Sequence, residues 1–217
     1  MEQNYLMMRL FAVIAEWRRL HRHQRPYKFN SNGGMEDQQE IMEDLQKIRD
    51  MCQEAIYEIG KNTVGTLQAK HDDVKGITWY EPKNKPQYVN DRSVSYLYIG
   101  KYDSGKTFLR WKTIYTGDDW VFFDKIIFNV DGYNFSIPYD KDTCYRDNGG
   151  GAVWEVMDVE PDKAWTRLLQ LIATSENTII RFEGDHKYRD VTLSQTDKDS
   201  IRDVLCVFQS AAINELK

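Results

Sequence analysis

"IGKYDSGKTF", residues 99–108, can be read as the start of either of two folds. It contains Gly100-x-x-x-x-Gly105-Lys106-Thr107, a full match to the phosphate-binding loop of nucleotide hydrolases. In such a loop a strand feeds a glycine-rich turn into a helix. The helix N-terminus and the loop amides hold the phosphates, Lys reaches the outer ones and Ser or Thr holds magnesium. A strand precedes Gly100 in "SVSYLYIG" (93–100). From Thr107 the chain continues as "TFLRWKTIYT" (107–116), a run of β-branched and aromatic residues that ends in the turn signal "GDD". That composition and length suit a strand and are too short for the crossover helix a parallel sheet requires. Asp124 in "WVFFD" imitates the magnesium-binding carboxylate that ends a strand, yet "KIIFNV" continues the apolar run, which places Asp124 mid-strand. The expectation is an antiparallel meander with "KYDSGK" as a hairpin tip.

From Ile77 onward the period is two. "GITWYEP" (76–82), "SVSYLYIG", "TFLRWKTIYT", "WVFFDKIIFNV" (120–130) and "YNFSIP" (133–138) are strand candidates. Asp131-Gly132 is a two-residue hairpin signal. "RDNGGG" (146–151) reads as a flexible turn before the strand "AVWEVMD" (152–158). Pro161 opens a helix at about 161–174, with Trp165, Leu168, Leu169 and Ile172 on one face. The hairpin "TIIRFE-GD-HKYRDVTLS" (178–194) comes next. A last helix spans about 197–214, capped by Thr196 with Asp199 three residues on.

Toward the N-terminus the period becomes helical. Leu6, Leu10, Val13, Ile14, Trp17 and Leu20 mark an amphipathic helix over about 5–23, which Pro26 stops. A second helix over about 36–59 carries Ile41, Leu45, Ile48, Cys52, Ala55 and Ile59 as a heptad seam, widened by Met42, Met51 and Ile56. Gly60 and Gly65 weaken its continuation, and "KHDDVKG" (70–76) reads as a linker. The expected architecture is α+β: a two-helix arm (1–73), then a mainly antiparallel β-rich domain with two helices (74–217).

Charge and cysteine usage narrow the function. Residues 1–30 hold six Arg or Lys against two Glu, whereas residues 31–73 hold four basic against ten acidic residues. A basic arm beside an acidic one admits nucleic-acid contact at one end, but the favoured expectation is that the two arms attract each other or present solvated faces, since nucleic-acid binding needs a clustered basic footprint. Three widely spaced cysteines, Cys52, Cys144 and Cys206, make neither a disulfide framework nor a zinc spacing. The apolar stretch from Tyr5 to Ala15 contains Arg9 and is too short to span a bilayer, and its positive charges come after it, unlike those of a secretory signal. A cytoplasmic location away from membranes, with no metal and no cofactor, is expected.

Candidate chemistry is sparse. "FEGDHKYRD" (182–190) gathers His186 with Glu183, Asp185 and Asp190, next to Arg181 and Arg189. Pairing across Gly184-Asp185 would set Glu183 opposite His186 and Arg181 opposite Tyr188, with Arg181 and Asp190 as diagonal neighbours. Arg181, His186, Tyr188 and Asp190 are thus candidate ligand contacts. His21 and His23 face different sides of a helix and do not share a metal. Trp79, Tyr80, Tyr96 and Tyr98 could stack on rings or bases, although strand alternation sends about half of them into the core.

"GITWYEPK" (76–83), "YLYIGK" (96–101), "GGAVWEVMD" (150–158) and "IIRFEGDHKYRDVTLSQTDKDSI" (179–201) resemble a β-rich domain of uncharacterised bacterial and phage-associated proteins, some of them lipoproteins or zinc-ribbon proteins. The resemblance covers about residues 74–212 and implies no activity, and neither a lipobox nor a zinc ribbon stands here. The expected function is non-enzymatic: a protein-binding module, such as an accessory or inhibitor protein of phage or mobile-element origin. It would form homo-oligomers through Leu10, Trp17, Ile41, Leu45, Ile48 and Ile59 of the arm. The alternative is a hydrolase using the His186 hairpin or a nucleotide at Gly100–Thr107.

Because Thr107 is expected to begin a strand, ATP or GTP with magnesium should leave the melting temperature unchanged. A ligand at 100 times its dissociation constant would add about 2.7 kcal/mol, readily seen as a shift. A shift that depends on Lys106 would restore the phosphate-loop reading.

Overall fold

The computed structural model describes residues 36–210. The helix expected at 5–23, with Leu10 and Trp17, lies outside the described residues, as does the end of the helix expected to reach 214. Where the sequence alternates, it forms strands. β1 (Gln68–Asp72), β2 (Ile77–Glu81), β3 (Val94–Tyr102) and β4 (Thr107–Gly117) make an antiparallel meander. Strand β8 (Ala152–Val159) adds to β4, and β7 (Cys144–Gly149) adds to β8, giving a six-stranded sheet in the order β1-β2-β3-β4-β8-β7. Four further strands, β5 (Lys125–Val130), β6 (Tyr133–Pro138), β9 (Thr178–Glu183) and β10 (Tyr188–Thr192), form a second sheet in the order β10-β9-β5-β6. Every pairing in both sheets is antiparallel.

The two sheets meet through large rings. Trp111 of β4 lies 5.1 Å from Phe128 of β5, and Tyr115 lies 5.5 Å from Phe182 of β9. Helix α2 (Lys163–Thr174) reaches the same core through Trp165, 6.1 Å from Trp111. Helix α3 (Gln195–Gln209) lies against β3 and against α2, burying Ile201, Val204, Leu205 and Val207. Trp111, fully buried, donates its indole N–H to Ser95 Oγ at 2.7 Å, and Ser95 bonds Thr113 at 3.0 Å, so these three polar groups are satisfied within one sheet face.

Helix α1 (Glu36–Thr63) runs through Gly60, a residue expected to end it. A Cβ at Gly60 would collide with Ser210 Oγ and the Cys206 carbonyl, so the glycine sets the close approach of α1 to α3. That packing outweighs a propensity cost of about 1 kcal/mol. Leu45 is exposed on α1, Ile48 and Ile59 are half-buried, and Ile41 lies on the same helix. The boundary expected at 73/74 falls inside the β1–β2 hairpin, and "KHDDVKG", with the sequence character of a linker, holds the end of β1 and its turn.

Four further expectations change. "RDNGGG" is strand up to Gly149, and only Gly150-Gly151, both at positive φ, make the turn. Helix α3 is capped by Ser194, not Thr196, in a reciprocal capping box with Asp197. Helix α2 begins after an Asp162 cap, two residues beyond Pro161. "WVFF" (120–123) is not a strand, and Asp124 precedes β5 rather than lying within a strand. The amides of Val121 and Phe122 donate to Glu155 Oε1, both at 2.7 Å, and that of Phe123 donates to Oε2 at 2.9 Å. Arg146 Nε adds a bond to Oε2 at 2.9 Å. Glu155 is wholly buried, and this curl of amides forces Phe122 to a φ of 53°.

Among the described residues no helix is long and apolar enough to cross a membrane. Glu155→Gln should lower the unfolding free energy in urea by on the order of 3 kcal/mol, because an amide NH2 then faces backbone N–H donors and Arg146 loses its anion. A loss below about 0.5 kcal/mol, typical of a surface site, would show that the carboxylate does not hold this loop.

Candidate functional site

Strand β3 separates two environments. Leu97 and Ile99 point into the core between the sheets, whereas Val94, Tyr96 and Tyr98 belong to a second cluster with Ile114 and Val156 on the other face of the six-stranded sheet. Val89, from the segment linking β2 and β3, packs on part of that face. An aromatic ladder runs along the rest of it. Tyr102 lies 5.2 Å from Phe108, Phe108 5.5 Å from Trp79, Trp79 5.5 Å from Tyr98, and Tyr98 6.2 Å from Tyr96. Gly100 makes this possible, since a Cβ there would occupy the place of the Phe108 ring. Tyr80, with the opposite parity, is in the main core.

A groove of about 560 Å³ opens over the ladder, lined by Lys70, Trp79, Glu81, Tyr98 and Lys112 with residues 71–74 of the β1–β2 hairpin. Its floor is tied to Asp158. The Tyr98 hydroxyl donates to both Asp158 oxygens at 2.8 Å, Arg110 Nε and Nη2 donate to Oδ1 at 3.0 and 2.8 Å, and Lys112 Nζ lies 2.9 Å from Oδ2. Burial, then the facing carboxylate, pushes the Tyr98 phenol well above the ordinary tyrosine value, so it remains a donor. Burial and then Glu81 do the same to Tyr96. Burial opposes the charge of Arg110, but the hydrogen bonds and charges of Tyr98 and Asp158 outweigh it and hold the guanidinium above its ordinary value. Lys112 Nζ also sits 5.5 Å from the Tyr98 ring centre. The arrangement is a rigid, donor-rich aromatic floor suited to holding a ligand by stacking and charge.

Only part of this site is found by reading single strands. Trp79, Tyr96 and Tyr98 are candidates from sequence, but Arg110, Lys112 and Asp158 are not, because their convergence depends on the β4–β8 register that sets Lys112 opposite Asp158. The Arg110-x-Lys112 spacing, which puts both cations on one face of a strand, is the available signal.

The other candidates lie elsewhere. In the β9–β10 hairpin the register is Glu183 opposite Tyr188 and Arg181 opposite Asp190, so the turn is the four residues 184–187 rather than Gly184-Asp185. A Cβ on Gly184 would collide with the Val121 and Phe122 carbonyls, so the turn is seated against that loop. Arg181 meets Asp190 through two bonds of 2.7 Å and lies 4.1 Å from the Tyr188 ring centre. The Arg181 hydrogen bonds hold the Asp190 carboxyl below the ordinary range. Arg181, Tyr188 and Asp190 therefore converge on the outside of the second sheet, and His186 stands apart from them, exposed in the turn. At the phosphate-loop match Lys101 pairs with Thr107, Gly105 N–H donates to the Tyr102 carbonyl, and Lys106 is exposed in a hairpin tip. Burial pushes the Cys206 thiol up to about 11 and raises that of Cys144. Among the described residues no three His, Cys, Asp or Glu side chains converge to hold a metal ion. No protein-family model, no curated protein and no solved structure matches this chain.

Proposed function

We propose that this chain is a non-enzymatic interaction module that recognises a protein partner on the outer face of its six-stranded sheet and self-associates through its N-terminal helices. The observation that carries the first part is the groove over the Trp79–Tyr98 ladder. There, the Trp79 ring and the Tyr98 ring, whose hydroxyl is hydrogen-bonded to Asp158, present aromatic surface of the kind that dominates binding energy at interfaces, with lysines beside it. The self-association reading is supported by α1, on which the large apolar side chains of Met42 (63% exposed), Leu45 (45%) and Met51 (51%) remain in water. The resemblance to phage-associated β-rich domains makes an accessory or inhibitor protein the concrete version of this role. The hydrolytic alternative would act through His186 or Lys106, both on exposed turns, and gains no support from those positions.

Val74, 96% exposed on the rim of the groove, is the place for a photo-crosslinking residue. In extract of the native host it should trap a discrete protein, and Trp79→Ala should abolish the product. The same probe at Tyr133, exposed on the second sheet, should not trap that protein. Equal trapping from both positions, or trapping indifferent to Trp79, would reject the outer face as the recognition surface.

Light scattering at micromolar concentration should give a mass above the 25.6 kDa of one chain. Replacing Leu45 and Ile48 by Asp should return it to that of a folded monomer. A wild-type monomer would end the self-association reading.

A further inference from the structure

Exposure changes along α1. From Met42 to Met51 every side chain except that of Ile48 is exposed, whereas from Ala55 to Gly60 none is, and there α1 comes against α3. The exposed stretch keeps its heptad. Leu45 and Cys52 take position a and Ile48 takes position d, so Asp44 and Met51 fall at position g, and Arg49 and Ile56 at position e. Asp44 lies 3.2 Å from Lys47, and Arg49 lies 3.6 Å from Asp50. Both are contacts between exposed side chains on one helix, which contribute little and give way readily to a neighbouring charge.

These flanking positions distinguish the two ways in which a second copy could lie along the face. When identical helices run in the same direction and in register, position g of one meets position e of the following heptad on the other. Asp44 then meets Arg49 of the second copy, and Met51 meets Ile56, on both sides of the seam. Charge is set against opposite charge and apolar side chain against apolar side chain. When the helices run in opposite directions, g meets g and e meets e. Asp44 then faces Met51 or another Asp44, and Arg49 faces Met42, Ile56 or another Arg49. In that arrangement neither charge finds its opposite.

We propose, on the basis of the self-association reading, that the exposed face of α1 is occupied by α1 of a second copy running parallel and in register, with reciprocal Asp44–Arg49 pairs across the seam. Leu45, Ile48 and Met51 supply the contact. The ion pairs lie at its margin, where they fix direction and register more than they add strength. The two helices part where α3 lies against Gly60, since a helix cannot be flanked there by both.

The test is a charge swap in the full chain, followed by sedimentation equilibrium at low salt. Arg49→Asp and Asp44→Arg should each weaken self-association by about tenfold, because each sets like charges opposite one another on both sides of the seam. An equimolar mixture of the two variants should recover the association of wild type, since every facing pair is again opposite in sign. Raised salt should narrow these differences. The mixture is also the control for folding, because a chain that had lost α1 could not regain association by mixing. The proposal is overturned if either variant associates like wild type, or if the mixture stays as weak as its components. When that happens while wild type associates and the Leu45 and Ile48 replacements abolish association, the helix direction alone is wrong. A monomeric wild type removes the self-association reading, and the parallel pairing with it.

Discussion

A wholly buried carboxylate holds the two sheets of this protein in their arrangement. Glu155 lies mid-strand on β8 with its side chain on the core face, where an unsatisfied carboxylate would cost several kcal/mol. The chain answers with three successive amides, from Val121 to Phe123, and the Arg146 guanidinium. Successive N–H groups curled around an anion make a nest, and the curl requires one residue in the left-handed region, here the bulky Phe122. This segment is where the chain leaves β4 of the first sheet and enters β5 of the second. Arg146 then bonds the Phe123 carbonyl and lies 4.3 Å from the Tyr139 ring centre, so β7, β8 and the crossing segment become one unit. The turn after β9 rests against the carbonyls of the same loop, which carries the constraint to the far edge of the second sheet.

The same feature shows why the sequence is legible only in part. Alternation identifies most strands because one face of each is apolar, and the Asp131-Gly132 turn is visible because only certain residues tolerate its positive φ. "WVFF" reads as a strand because its aromatics satisfy any apolar pattern, and what keeps it out of a sheet is a carboxylate more than thirty positions away in sequence. A clue to this is present. In "AVWEVMD" the two-residue period puts Glu155 on the same face as Val153 and Met157, and a charged residue on a core face demands partners from elsewhere. The shifted register of the β9–β10 hairpin has a similar origin. A two-residue turn suits the local sequence, whereas the fold uses four residues and seats Gly184 on the 121–122 carbonyls.

Helix α1 shows the opposite limit. Its heptad spacing is plain, yet spacing does not say which stretch meets a neighbour. The C-terminal part docks on α3 at Gly60, while Met42, Leu45 and Met51 remain exposed. A glycine that local propensity marks as a helix end is here the point where two helices come closest.

The phosphate-loop match at Gly100–Thr107 is explained by the same kind of long-range packing. Gly100 and Lys101 belong to β3, Thr107 and Phe108 to β4, and Gly100 is small because the Phe108 ring folds across it toward Trp79. A pattern that imitates phosphate chemistry is thus one end of an aromatic ladder. Every residue of β3 from Val94 to Gly100 is buried, with its two faces serving different clusters. The strand that carries Tyr96 and Tyr98 outward is therefore fixed from behind by Leu97 and Ile99 in the main core. Side chains placed in this way lose little freedom when a ligand arrives, so stacking on them costs less conformational entropy than stacking on a mobile loop. The cations beside them differ in this respect. Lys112 is held by Asp158, whereas Lys70 is exposed on an edge strand, so the inner half of the groove is pre-arranged and the outer half is not.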